Sequence, residues 1–267
     1  MPAHRRSLAV RLVAILALLI LAAVAYTWYF GFATISVVEA RYAGRQVPIV
    51  KKTPIPLPDP TVSQAPGEKL EVCGYQFDVP WRDLDDSKTK SSPTRAVVHF
   101  QSGLVLMFKC VPPREFVNGF LSSGKIAPES FRRVFGDEAL QSDYALTRLM
   151  LETTPDKITL RTPRQDAAGK LVMLVVKGIA TPPADSGIFS IHTDEFEGFQ
   201  YEDPQLHPKR VVANLFAPDQ TLEFIFFLNY EGASPHLSQA EINRVLQTTR
   251  KDRTHAAFDN ASLTAPK

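Results

Sequence analysis

Glycine is scarce in this chain, with 13 in 267 residues, and neither G-x-x-x-x-G-K-[ST] nor a G-x-G-x-x-G after a strand occurs. Without such loops there is no backbone cradle for a phosphate, so a nucleotide site is not expected. Charge of one sign is not in excess either: 30 Lys and Arg stand against 28 Asp and Glu, a net charge of +2. A nucleic-acid surface normally shows a concentrated basic footprint, and none is present. Cysteine is limited to Cys73 and Cys110, too few for a disulfide framework. The histidines, His4, His99, His192, His207, His236 and His255, form no HExxH or HxH pattern. A zinc site of recognised spacing and a metal cofactor are therefore not expected.

Nucleophilic catalysis also lacks its signals. Gly187-Ile188-Phe189-Ser190-Ile191 has no second glycine to complete a nucleophile elbow. A Cys–His pair from Cys110 and His99 fails on register. If Gln101 pairs with Leu104 in a hairpin, His99 faces Leu106 and Cys110 faces Arg95, four positions apart.

What the chain does have begins at its N-terminus. Leu12 to Val38 contains no charged residue and follows Arg5, Arg6 and Arg11. A membrane-spanning helix needs about 20 apolar residues, and a positive flank stays cytoplasmic. Tyr26, Trp28, Tyr29 and Phe30 suit the far interface. The expectation for residues 1–38 is a cytoplasmic tip and an uncleaved transmembrane signal anchor, with the main domain periplasmic or otherwise extracytoplasmic. The competing reading is a cleaved signal, because Ala23-Val24-Ala25 has the small-x-small form.

Residues 39–69 read as a proline-rich linker. Pro54, Pro56, Pro58 and Pro60 alternate, which favours a polyproline II strut. A docking site for a proline-reading partner is the other use of such a segment. Residues 70–251 read as the folded domain and 252–267 as a disordered tail. If that domain is exported, Cys73 and Cys110 admit a disulfide; two buried thiols are the alternative.

Within the domain, strand patterns open and close the sequence. Leu70–Val79 alternates apolar and polar residues, and Arg95–Gln101 and Leu104–Cys110 flank the turn Ser102-Gly103. Leu104–Phe108 and Phe224–Leu228 are apolar throughout, the pattern of strands covered on both faces. Between them come helices predicted after Pro113, over Pro128–Phe135, around Tyr144–Leu151, and after Thr162-Pro163-Arg164-Gln165, with a strand as the alternative at Val172–Val176. Strands follow at Gly187–Thr193, Gly198–Glu202, Lys209–Ala217 and Thr221–Asn229, then a helix capped by Ser238 and Glu241. This order is α+β, and it predicts a three-layer α/β/α sandwich around a mainly antiparallel sheet.

The Tyr75-Gln76-Phe77-Asp78-Val79-Pro80 strand, the early hairpin, the middle helices and the closing Glu241-Ile242-Asn243-Arg244-Val245-Leu246 resemble the Mog1/PsbP-like group of α/β/α domains. The resemblance spans residues 70–251 and is architectural. It implies a binding or accessory module and not an enzyme.

Two segments are candidates for function. Phe196, Phe199 and Tyr201 alternate with polar residues, and at an exposed sheet edge they would form a protein-binding patch. Burial of one strand face is the plain alternative. His192-Thr193-Asp194-Glu195 joins a base to carboxylates, against the reading of a solvated turn. The expected role is a non-catalytic, membrane-anchored module interacting with another envelope protein. The rival is an envelope hydrolase assembled around His192, Asp194 and Glu195.

Overall fold

The computed structural model describes residues 13–25, 49–57, 61–124, 127–158, 162, 164–181, 187–202, 210–228 and 237–252. Contacts divide the chain into two compact units, one from Met1–Lys51 with Met150–Ala184, the other from Lys52–Leu149 with Asp185–Lys267.

The larger unit is built on an eight-stranded sheet in the order β1 (Ile55–Pro56), β7 (Ile188–His192), β8 (Glu197–Tyr201), β9 (Arg210–Ala217), β10 (Gln220–Leu228), β6 (Leu104–Val111), β5 (Arg95–His99), β4 (Lys90–Ser92). Every pairing is antiparallel except β1 with β7. The mixed α/β class and the mainly antiparallel sheet are therefore as the sequence implies.

The two apolar runs do lie at the centre, with Phe224 opposite Phe108 and Phe226 opposite Leu106. Their two faces are not equally covered. Leu222, Phe224 and Phe226 are wholly buried, while Glu223, Ile225 and Phe227, which alternate with them, are only half-buried. Over the dry face lies a second sheet, β2 (Glu68–Val72), β3 (Tyr75–Val79) and β11 (Arg250–Lys251), in the order β11-β3-β2. Phe77 of β3 meets Phe108 at 5.2 Å and Phe224 at 5.4 Å. Burying each such ring contributes about 1.5–3 kcal/mol. Helix α6 (Gln239–Thr248) joins the same core through Ile242, Val245 and Leu246. The layer on this face is thus part sheet, where the α/β/α expectation has helix alone.

The opposite face receives α2 (Glu115–Gly124) and α4 (Asp143–Glu152). Phe116 of α2 meets Phe216 at 6.5 Å, and Tyr144 of α4 stacks on Phe199 at 5.6 Å. Helix α3 (Pro128–Phe135) follows α2 and ends at Gly136, whose positive φ of 81° glycine adopts without penalty.

Three expectations are corrected. The β5–β6 hairpin pairs His99 with Val105 and Arg95 with Lys109, one position off the predicted register. A three-residue loop causes the shift: Phe100 N–H bonds Leu104 O at 2.9 Å, with Gly103 at φ 89°. The proline-rich linker is not a detached strut where it is described. Ile55–Pro56 extends the main sheet beside β7, Ser63 N–H bonds Ala240 O at 2.9 Å, and Asn243 Nδ2 donates to Thr61 O at 2.8 Å. A proline-bearing strand at a sheet edge offers few free amides to another chain. Finally, α2 begins at Glu115, after Arg114 with its φ of 64°, and not at Pro113.

The smaller unit contains α1 (13–25), the end of α4 and α5 (Arg164–Ala180). Helix α5 runs through Val172–Val176, so the strand alternative there falls. Lys177 is wholly buried and donates to Leu151 O at 2.6 Å and Thr153 O at 3.1 Å, capping the carbonyl end of α4. On α1 the apolar side chains face outward, Leu18 and Leu21 among them. Among the described residues no helix is long and apolar enough to cross a membrane. Residues 26–38 of the expected anchor, 39–48 and 58–60 of the linker, and the tail beyond Asp252 lie outside the described residues.

Candidate functional site

The β7–β8 turn, the β9–β10 turn and the first turn of α4 border an open cleft of about 380 Å³. Strand register sets its first wall. His192 ends β7 directly opposite Glu197 at the start of β8, and Nδ1 lies 2.8 Å from Glu197 Oε1. Both side chains reach solvent, at 78% and 48% exposure. The turn between them is closed internally: Thr193 N–H donates to Phe196 O at 2.9 Å, and Phe196 N–H donates to Thr193 Oγ1 at 3.0 Å. That closure buries Thr193 and Phe196 and leaves Asp194 and Glu195 pointing outward. Glu195 Oε2 accepts the Lys251 amide at 3.2 Å.

Helix α4 supplies the second wall. Asp143 is buried and accepts the Val117 amide at 3.0 Å and the Thr221 hydroxyl at 3.5 Å, fastening α2 and β10 to the helix start. A carboxylate used in this way fastens the helix start to its neighbours. Tyr144 leans over β8 and β9 against Phe199 and Phe216, both at 5.6 Å. Its hydroxyl donates to Glu197 Oε2 at 3.5 Å. Phe216 forms part of the floor, and Arg114 is the basic residue on the far rim.

His192, Asp194 and Glu195 therefore do border one cleft, as their adjacency in sequence suggests. The carboxylate partner of the imidazole is Glu197, a neighbour of that cluster in sequence and not one of its three candidates. Among the described residues no hydroxyl or thiol is hydrogen-bonded to the His192 ring. Nor does any group of three His, Cys, Asp or Glu stand ready to hold a metal among those residues.

The aromatic patch is corrected. Phe196, Phe199 and Tyr201 are each at most 4% exposed, and β8 lies between β7 and β9, so it is not an edge. Phe199 supports Tyr144 from below, and Phe196 packs on Tyr75 at 6.1 Å. Burial also pushes the Tyr201 phenol well above its ordinary range, so it stays neutral. The aromatic edge of the cleft is the half-buried Tyr144, which no local pattern in the sequence marks as a site residue.

Cys73 and Cys110 are both free thiols here, the second buried. No family model, no curated protein and no solved structure matches the chain.

Proposed function

We propose that this chain is a membrane-tethered extracytoplasmic binding module whose cleft receives a segment of another envelope protein. The observation that carries this reading is the chemistry of the cleft. Asp194, Glu195 and Glu197 rim an open, aromatic-floored recess, and Glu195 and Glu197 are already held by hydrogen bonds. Carboxylates beside a tyrosine face suit a cationic or N–H-rich side chain, with Tyr144 offering a ring for cation–π contact. The partner segment would then present lysine or arginine. The tether rests on the uncharged run behind Arg5, Arg6 and Arg11 and on the outward apolar side chains of α1.

The test is capture from solubilised membranes with the full-length chain. One stoichiometric envelope protein is expected, and it should be lost with Glu197→Lys. Capture that charge reversal leaves unchanged would remove the cleft from the reading. Protease added to spheroplasts checks the tether: a body that survives intact contradicts export.

A hydrolase is the second reading, favoured by the 2.8 Å contact of His192 with Glu197. A carboxylate that orients an imidazole prepares it to take a proton. Turnover of an ester or peptide substrate that falls at least about 100-fold in His192→Ala would establish it.

A further inference from the structure

The β2–β3 turn is made by Cys73 and Gly74, both with positive φ, at 57° and 73°. A two-residue hairpin of this kind favours Asn-Gly, Asp-Gly or Gly-Gly. A cysteine is not the residue this backbone selects, and a broken local rule points to another use for the side chain. The fold supplies one. β3 lies against β6 through Phe77 and Phe108 at 5.2 Å. Cys110 is two residues beyond Phe108, hence on the same face of β6, and is buried in the same core. There the Cys73 side chain, half-buried, packs against the core that contains Cys110.

We propose that Cys73 and Cys110 form an intramolecular disulfide when the chain is exposed to an oxidising compartment. The oxidant is a disulfide of the thiol-exchange class, such as oxidised glutathione or an exported dithiol oxidase. Cys73, the more accessible sulfur, loses its proton and attacks the oxidant's disulfide, releasing one thiol and leaving a mixed disulfide. Cys110 then loses its proton and attacks Cys73 Sγ, releasing the second thiol. Two electrons and two protons pass from the cysteines to the oxidant, which ends as two thiols. Burial pushes both thiols up, Cys110 more strongly, so the uncatalysed reaction is slow.

The product would staple the small sheet to the central strand of the large one. Tyr75 sits between these parts, its ring on Phe196 beneath the cleft rim. The bond would form whatever the cleft binds.

Full-length protein in detergent is incubated with oxidised glutathione or with dithiothreitol, denatured, alkylated and weighed. We expect two alkylated cysteines after dithiothreitol and none after glutathione disulfide, with a linked peptide pair two hydrogens lighter than its halves. The oxidised form should melt about 5 °C or more above the reduced one. Cys73→Ser should abolish both differences, and the wild-type readouts stand even if Cys110→Ala does not fold. Two free thiols after oxidation, a glutathione adduct that never resolves, or a bond between two chains would each overturn the proposal.

Discussion

The two faces of the main sheet come from alternate residues of the same strands, yet they are put to different uses. On β10, Leu222, Phe224 and Phe226 meet a second sheet and a helix and are fully dry. One residue along, Thr221 reaches toward Asp143, while Glu223 and Phe227 stay partly open. The same alternation on β8 sends Gln200 to α6 and Phe199 to Tyr144. Stability is concentrated on one parity of strand residues, and the cleft is assembled on the other. A face that need not be close-packed can keep a recess and the polar groups that line it.

The largest expected effect tests that division directly. Phe224→Ala should cost about 3–5 kcal/mol in urea unfolding, because it opens a cavity among Phe77, Phe108 and Phe226. Phe227→Ala, three positions away on the half-buried face, should cost less than half of that. Equal losses would mean that the two faces are equally packed in solution.

A second prediction concerns charge in a dry place. Lys177 is wholly buried, and desolvation first, then the nearby Lys157 charge, lowers its pKa from 10.5 to about 8. The folded value lies below the unfolded one, so between about pH 8 and 10.5 the unfolded chain holds more of this proton. Stability must then rise with pH across that window, where paired lysines would make it fall. Thermal melts from pH 7.5 to 10.5 check the sign, and Lys177→Met should flatten the rise.

The dry face also holds a polar exception. Gln200 and Gln239 exchange amide hydrogen bonds at 2.7 and 2.9 Å, and Gln239 donates to Asn243 Oδ1 at 2.8 Å. Gln200→Leu should cost about 1–3 kcal/mol by leaving Gln239 unsatisfied in a buried site. Adding Gln239→Leu should recover part of it. Full additivity in this cycle would mean that the pair does not couple β8 to α6.

How much of this was legible in the sequence depended on the range of the interaction. The Ser238–Glu241 capping box is visible in four residues, and both of its bonds form, with Ser238 N–H on Glu241 Oε2 at 2.9 Å. Helix periodicity placed α3 and α5, and strand patterns placed β5 to β10. The two apolar runs marked the central strands, but Phe224–Leu228 carries hydrophobic side chains on both parities although one of them is only half-covered. Register was missed by one residue at Gly103, since the loop length and not the apolar pattern decides it. The cleft was half legible. His192, Asp194 and Glu195 sit on one turn, but Tyr144 reaches Glu197 from 53 residues away. Nothing local encodes such a meeting. The linker's docking was hidden for a similar reason: Thr61 bonds Asn243 across 182 positions.

The smallest stability effect is the most informative about the cleft. The His192–Glu197 pair is geometrically good, but both partners stand in solvent. Exposed pairs of this kind contribute about 0–1 kcal/mol, because water screens them and side-chain entropy opposes them. Glu197→Gln should therefore shift unfolding by no more than about 0.5 kcal/mol, with Tyr144 still stacked on Phe199. The fold then does not demand a carboxylate there. If Glu197→Gln unfolds the protein more easily by well over 1 kcal/mol, the open face is also structural, and the separation of roles between the two parities fails. If stability holds while membrane capture weakens, the carboxylate acts on the partner and not on the scaffold.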